Sequence, residues 1–188
     1  AGGRCPDMNN ENDILPKRIS DRTNASLPIA YDPDTGTKHL NPVYEKADWY
    51  NDVAVVIHDE CSADVKDDDV VDGVLKPHKD GLPAVVLHCG MHCYRSEGFP
   101  KHTAWFDFTG LMTTGHGPQE PIAIAFTEKE SPITKGMANW TTVKEELYNK
   151  IIGKVAETAQ PPARGKQPYK AKQGQEIWKR YSLHTAMI

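Results

Sequence analysis

Two short apolar runs, each closed abruptly by a histidine, dominate the pattern of the chain. Val53-Ala54-Val55-Val56-Ile57 ends in His58-Asp59-Glu60, and Pro83-Ala84-Val85-Val86-Leu87 ends in His88-Cys89-Gly90. Runs that are apolar on both faces suit parallel strands covered by helices on each side. Between them, Val65, Val70, Val71, Val74 and Leu75 partly fit one helical stripe over residues 64–77. Asp67-Asp68-Asp69 then forms a solvated face or first turn, where negative charge suits the helix dipole. The unit reads strand, helix, strand, with the crossover that parallel pairing requires.

Outside this unit the pattern is thinner. The first forty residues are mostly turn and loop signals, with weak helical spacing from Ile14 to Ile19 and a turn at Tyr31-Asp32-Pro33-Asp34-Thr35-Gly36. Pro121-Ile122-Ala123-Ile124-Ala125-Phe126 predicts a third strand whose place and direction in the sheet are open. Ser131-Pro132-Ile133-Thr134 reads as a turn, and Thr142 to Lys150 as a short helix or an irregular segment. From Gln160 onward the chain reads as a polar, weakly patterned tail. No internal repeat is present.

Composition narrows the function classes. The chain has 188 residues, which suits a single domain over 1–188. It is 38% hydrophobic with a net charge of -4, and its mean hydropathy is -0.60. No basic cluster or Cys/His finger is present, so nucleic acid is not an expected partner. No apolar run reaches the roughly 18 residues of a membrane span, and no membrane association is expected. The four cysteines, Cys5, Cys61, Cys89 and Cys93, are too sparse for a stapled secreted domain and read as thiols.

Candidate chemistry gathers at the strand ends, where open α/β sheets bind their ligands. His58, Asp59, Glu60 and Cys61 follow the first strand. His88, Cys89, His92 and Cys93 follow the second, and Gly115-His116-Gly117-Pro118-Gln119 precedes the third. Three chemistries fit such a set. Cys89 or Cys93 could act as a nucleophile with His88, His92 or His116 as base. His88 and His92 share a face if their turn is helical, but the spacing matches no standard zinc motif, so no metal is assigned. Polar sugar recognition with general acid–base work is the third, with His, Asp and Glu orienting hydroxyls and Trp105 or Tyr148 as a stacking face. Core packing is the favoured role for Trp105. No cofactor is called for.

Several segments together resemble the ThuA-like, or trehalose-utilisation, family. They are residues 55–61 through His58-Asp59-Glu60-Cys61, residues 81–95 through His88-Cys89-Gly90-Met91-His92-Cys93, and Trp105-Phe106-Asp107-Phe108-Thr109-Gly110-Leu111 leading to Thr114 through Gln119. Ser131-Pro132-Ile133-Thr134-Lys135-Gly136 is similar to the family's "HPIT.G" turn, with Ser131 in place of His, and Glu145-Glu146-Leu147-Tyr148 to its "DELY" element. The resemblance spans roughly residues 50 to 150. It implies an α/β fold of the flavodoxin-like, class I glutamine-amidotransferase-like kind, a three-layer sandwich around a mainly parallel sheet. It also implies a role in carbohydrate metabolism, with His58, His88, His116, Glu146 and Tyr148 as the residues to carry over. Cys89 falls near the position of the amidotransferase nucleophile, where the family usually has Ser or Ala. The family's first strand and its C-terminal strand are not recognisable, Pro6 stands where a His is common, and His184 is no safe substitute for the family's terminal His.

The expectation is therefore a domain that binds or processes a small-molecule sugar or glycoside of the trehalose or disaccharide type. His88, His116 and Cys89 are the catalytic candidates. His58, Asp59, Glu60, His92, Gln119, Glu146 and Tyr148 are the substrate-binding candidates. A noncatalytic carbohydrate-binding module and a cysteine-dependent amidohydrolase are the alternatives. Homo-oligomer formation and cellular compartment are open.

Overall fold

The structure, a computed structural model, describes residues 8–34, 36–111, 113–148, 160–170 and 176–183. The expectations for Cys5, Pro6 and His184 lie outside these residues.

The strand–helix–strand unit is present in shortened form. Strand β1 is Val56–His58, helix α2 is Asp68–Lys79 and strand β2 is Ala84–Val86, after a first helix α1 at Met8–Ser20. β1 and β2 pair in parallel, with Val56 opposite Ala84 and His58 opposite Val86. The apolar run overstated β1, because Val55 is 46% exposed. α2 begins at Asp67, whose side chain accepts from the amides of Asp69 and Val70 and so satisfies two of the orphan donors of the first turn. Its buried face carries Val71, Val74, Leu75 and Pro77. These pack with Val65, Cys93, Tyr94, Trp105 and Phe106 into the first core. Trp105 and Phe106 come from helix α3, Ala104–Thr109, capped by the Thr103 hydroxyl and ended by Gly110 at φ 66. Trp105 is fully buried and its indole N–H donates to Gly90 O at 2.8 Å, as its core role requires.

The rest of the chain corrects the expected architecture. Strand β3, His116–Phe126, does not join β1 and β2. It pairs antiparallel with β4, Trp140–Tyr148, and with β5, Ala163–Lys170. A further strand, β6, Glu176–Leu183, pairs with β5, and the sheet order is β4-β3-β5-β6. A flavodoxin-like three-layer sandwich is thus overturned: among the described residues the parallel sheet has two strands, and the larger sheet is antiparallel. The reason lies in the spacing of buried positions. Ile122 and Ile124 face inward while Ala123 and Ala125 are exposed, the two-residue period of a strand covered on one face. Ile122, Ile124, Leu147 and Ala163 form a second, smaller core.

Two local expectations change with it. Residues 142–148 are strand, as the β-branched run Thr141-Thr142-Val143 favours. Much of the expected polar tail is β5 and β6, two strands that pair across eight registered positions. The buried Gln167 ties this sheet across, donating to Glu120 O at 2.7 Å and to Glu145 O at 3.0 Å. Among the described residues, no helix is long and apolar enough to cross a membrane.

Candidate functional site

The predicted site residues divide between two clusters, one sealed in the first core and one between the two sheets. The sealed cluster centres on Glu60, just beyond β1. Its Oε1 accepts from Tyr94 OH at 2.7 Å and Tyr44 OH at 2.9 Å, and lies 2.9 Å from His58 Nδ1. His58 is fully buried. Its Nε2 lies 2.9 Å from His78 Nε2, while His78 Nδ1 lies 2.8 Å from Leu82 O.

These contacts orient the protons. A carbonyl only accepts, so His78 carries its proton on Nδ1 and offers Nε2 as acceptor. His58 therefore donates from Nε2 to His78 and from Nδ1 to Glu60, as an imidazolium paired with a carboxylate. Burial alone would raise the Glu60 carboxyl. The charge of His58 and the hydrogen bonds from His58, Tyr94 and Tyr44 outweigh it and hold the carboxyl at about 2. Burial pushes the phenols of Tyr44 and Tyr94 well up, and the imidazole of His78 down.

His58 and Glu60, expected to bind substrate, are thus turned inward and hold β1, α2 and the turn at Pro42–Glu45 together. Sequence reasoning missed Tyr44, His78 and Tyr94 altogether. His78 was within reach: it stands three and four residues beyond Leu75 and Val74, on the apolar stripe of α2, where a polar residue needs a buried partner.

The open cluster joins the 3₁₀ turn His88–His92, which follows β2, to the paired ends of β3 and β4. Strand register builds half of it. His116 lies opposite Tyr148, and Gln119 opposite Glu146. Gln119 Nε2 donates to Glu146 Oε1 at 3.1 Å, and His116 Nε2 stands 3.5 Å from the same oxygen. His116 Nδ1 is held by Gly117 O at 2.7 Å, so Nε2 is the nitrogen presented to the cluster.

The 3₁₀ turn supplies the other half. His88 Nδ1 lies 2.9 Å from Tyr148 OH, and Tyr148 OH also reaches Glu146 Oε2 at 3.3 Å. His88 Nε2 stands 3.6 Å from both Glu145 and Glu146. The Tyr148 hydroxyl gives its one proton to Glu146, so His88 Nδ1 donates to the Tyr148 oxygen and Nε2 is the nitrogen turned to the cluster. Burial and then the charge of Glu146 push the Tyr148 phenol far up, so it stays a neutral donor. The His92 ring packs 4.9 Å from the Tyr148 ring. Its Nδ1 is buried without a hydrogen-bond partner. Burial, and then the positive neighbours Arg95, His116 and His88, push the imidazole down to about 4.

The turn that positions His88 is strained and tightly seated. His88 has φ 46 and Tyr94 φ 48, left-handed values that cost a non-glycine residue of order 1–3 kcal/mol. Each sends its side chain into one of the clusters. Between them, Gly90 sits so close to β1 that a Cβ would lie 3.1 Å from His58 O and 3.2 Å from the Val86 side chain. Any larger residue there would have to push the His58 carbonyl or the Val86 side chain aside by a few tenths of an ångström.

The cysteines correct the sequence reading. Cys61 and Cys89 form a disulfide with their Cα atoms 5.5 Å apart, so Cys89 has no thiol and is not a nucleophile in this state. Cys93 is a free thiol, fully buried, with its Sγ 3.0 Å from Glu60 O. Burial and the charge of Glu60 push that thiol well above its ordinary value, the reverse of what a reactive cysteine needs. Among the described residues no group of three or more His, Cys, Asp or Glu is arranged to hold a metal ion.

Asp59 lies at the margin of the open cluster. Burial raises its carboxyl, and the attraction of His88 opposes this only in part. A carboxyl raised on folding contributes most below its unfolded value and loses that contribution as pH rises. Asp59→Asn is therefore expected to raise the melting temperature at pH 7 and to change it less at pH 4. Thermal melts at both values check this, and a lower melting temperature at pH 7 would refute it.

A shallow recess of about 360 Å³, lined by Asp68, Asp72, Glu97 and His102 among others, shares no residue with either cluster. Comparison with known proteins found no matching family model, no matching curated protein and no matching solved structure.

Proposed function

We propose that the chain is a ThuA-like protein that binds a sugar or glycoside at the open cluster and processes it by general acid–base chemistry. The observation that carries this reading is the line of contacts from His88 through Tyr148 to Glu146. A group that accepts a proton, a neutral hydroxyl that orients it and a carboxylate behind that hydroxyl are the parts of an acid–base relay.

The surroundings favour a neutral polyol. Glu145, Glu146 and Asp59 accept hydrogen bonds from hydroxyls, Gln119 donates, and the Tyr148 ring offers a stacking face. Phosphate would meet three carboxylates. His88 is the proton-transfer group of the proposal, Tyr148 and Glu146 orient it, and Gln119 holds Glu146. His92 remains neutral near pH 7 and packs against Tyr148.

Titration calorimetry with trehalose, other disaccharides and their keto forms tests binding, and product analysis tests turnover. Loss of the positioned proton-transfer group typically costs about 10²–10⁴-fold, and His88→Ala is expected to lose turnover on that scale. Tyr148→Phe is expected to retain binding with a shifted pH profile. Unchanged sugar binding and turnover in a His88→Ala, His116→Ala double variant would end this reading. Saturable binding with no turnover at any pH would instead support the noncatalytic module.

A further inference from the structure

We propose that the Cys61–Cys89 disulfide is a redox latch on the open cluster, a regulatory role that rests on reading that cluster as the ligand site. The bond joins the residue after Glu60 to the residue after His88. It therefore ties the end of β1 to the turn that carries the proposed proton-transfer group.

Three independent features make the bond a latch. The first is the backbone of His88, which stands in the left-handed region one residue before the bonded cysteine. A side chain other than glycine stays there only while its surroundings hold it. The second is that the entry to the turn is held by backbone alone: Leu87 N–H donates to His58 O at 2.8 Å, and Leu87 supplies no side-chain cap. The remaining ties act further along, through Trp105 Nε1 to Gly90 O at 2.8 Å and Cys93 Sγ to Glu60 O at 3.0 Å. With the Leu87 backbone bond they hold the peptides on either side of His88, while its side chain is placed by Tyr148 and the next residue by the disulfide. The third is access. Cys61 is half-buried, so the bond is not sealed in the core, whereas the neighbouring thiol Cys93 is fully buried. The Cys93 thiol is also pushed well up, which disfavours reshuffling within the chain and leaves the bond to external thiols.

The step is a two-electron exchange with a dithiol. One thiolate of the dithiol attacks a sulfur of the pair and the Cys61–Cys89 bond breaks. A mixed disulfide forms, and the second thiol of the dithiol closes on the first. Two electrons and two protons pass to Cys61 and Cys89, which become thiols, and the dithiol leaves as a cyclic disulfide. Freed from its neighbour's bond, His88 relaxes out of the left-handed region and its imidazole leaves Tyr148.

The test uses the full chain, isotope-labelled, in buffers poised with dithiothreitol and its oxidised form. The His88 imidazole and the Val74 and Leu75 methyl resonances are followed, with sugar binding measured calorimetrically in each state. On reduction the His88 signal is expected to move and affinity to fall at least tenfold, with the Val74 and Leu75 signals unchanged and reoxidation restoring both. Cys61→Ala, which leaves the turn sequence intact, is expected to behave as the reduced form under all conditions. An unmoved His88 signal overturns the latch. So does collapse of the Val74 and Leu75 dispersion, which would make the bond a global staple. A His88 signal that responds to reduction in a chain that binds no sugar in either state overturns the sugar reading and leaves the latch standing.

Discussion

Glu60→Ala is expected to destabilise the fold by about 3–5 kcal/mol, the range for removing one partner of a buried ion pair. Glu60 Oε1 receives three groups, from Tyr44, His58 and Tyr94. Deleting it strands a buried imidazolium and two buried hydroxyls at once, and water has little room to replace it, because only 18% of the Glu60 side chain is exposed. For a chain of this size about 1 kcal/mol moves the melting temperature by roughly 2–4 °C, so a drop of about 6–20 °C is expected. Glu60→Gln keeps the shape and one acceptor oxygen, and is expected to fall between the variant and the parent. Thermal and urea melts measure both. A shift below about 3 °C for Glu60→Ala would mean that the network is solvated and does not hold β1 to α2.

Acid unfolding is expected in two limbs. His92 is held down to about 4 by burial and by Arg95, His116 and His88. A base depressed on folding contributes its stability above the unfolded value and loses it as pH falls, so the upper limb runs from about 6.5 down to 4. His78, pushed down by burial, adds in the same direction. Glu60, held at about 2, contributes above the ordinary carboxylate value and loses that contribution as pH falls from about 4.5 to 2. His92 and Glu60 each contribute about 3 kcal/mol when the effect is fully expressed. Urea melts at pH 7.5, 5.5, 4 and 3 resolve the limbs. His92→Phe is expected to flatten the upper limb and leave the lower one. An upper limb unchanged in that variant would assign it to His78 instead.

The two predictions address groups that were read as equals along the chain. His58 and His88 each close an apolar run, and each is followed by an acid or a thiol within three residues. Folding separates them. β1 is the strand whose terminal side chain meets α2, so His58 is buried against His78 and Trp105. β2 runs into a turn with a left-handed first residue, so His88 faces the other sheet. No local pattern distinguishes these outcomes, because burial depends on which distant element covers each strand end.

Local chemistry made several features legible without the fold. The β1–α2–β2 unit follows from two β-branched runs around a capped amphipathic stripe. The core role of Trp105, the grouping of His88, His92, His116 and Gln119 as polar candidates and Tyr148 as an aromatic one also came from residue type and order, while Glu146 entered only through the family resemblance. Tertiary structure alone decided the rest. Whether Pro121–Phe126 paired with the parallel strands or with residues 140–148 depended on non-local hydrogen bonds, and the antiparallel choice is what set His116 across from Tyr148. The partnership of Cys61 with Cys89 depended on two strand ends approaching within 5.5 Å, a distance that sequence separation does not encode. The sealed network around Glu60 needed Tyr44, His58, His78 and Tyr94 to arrive from four separate segments, and only chain packing brings such groups to one carboxylate.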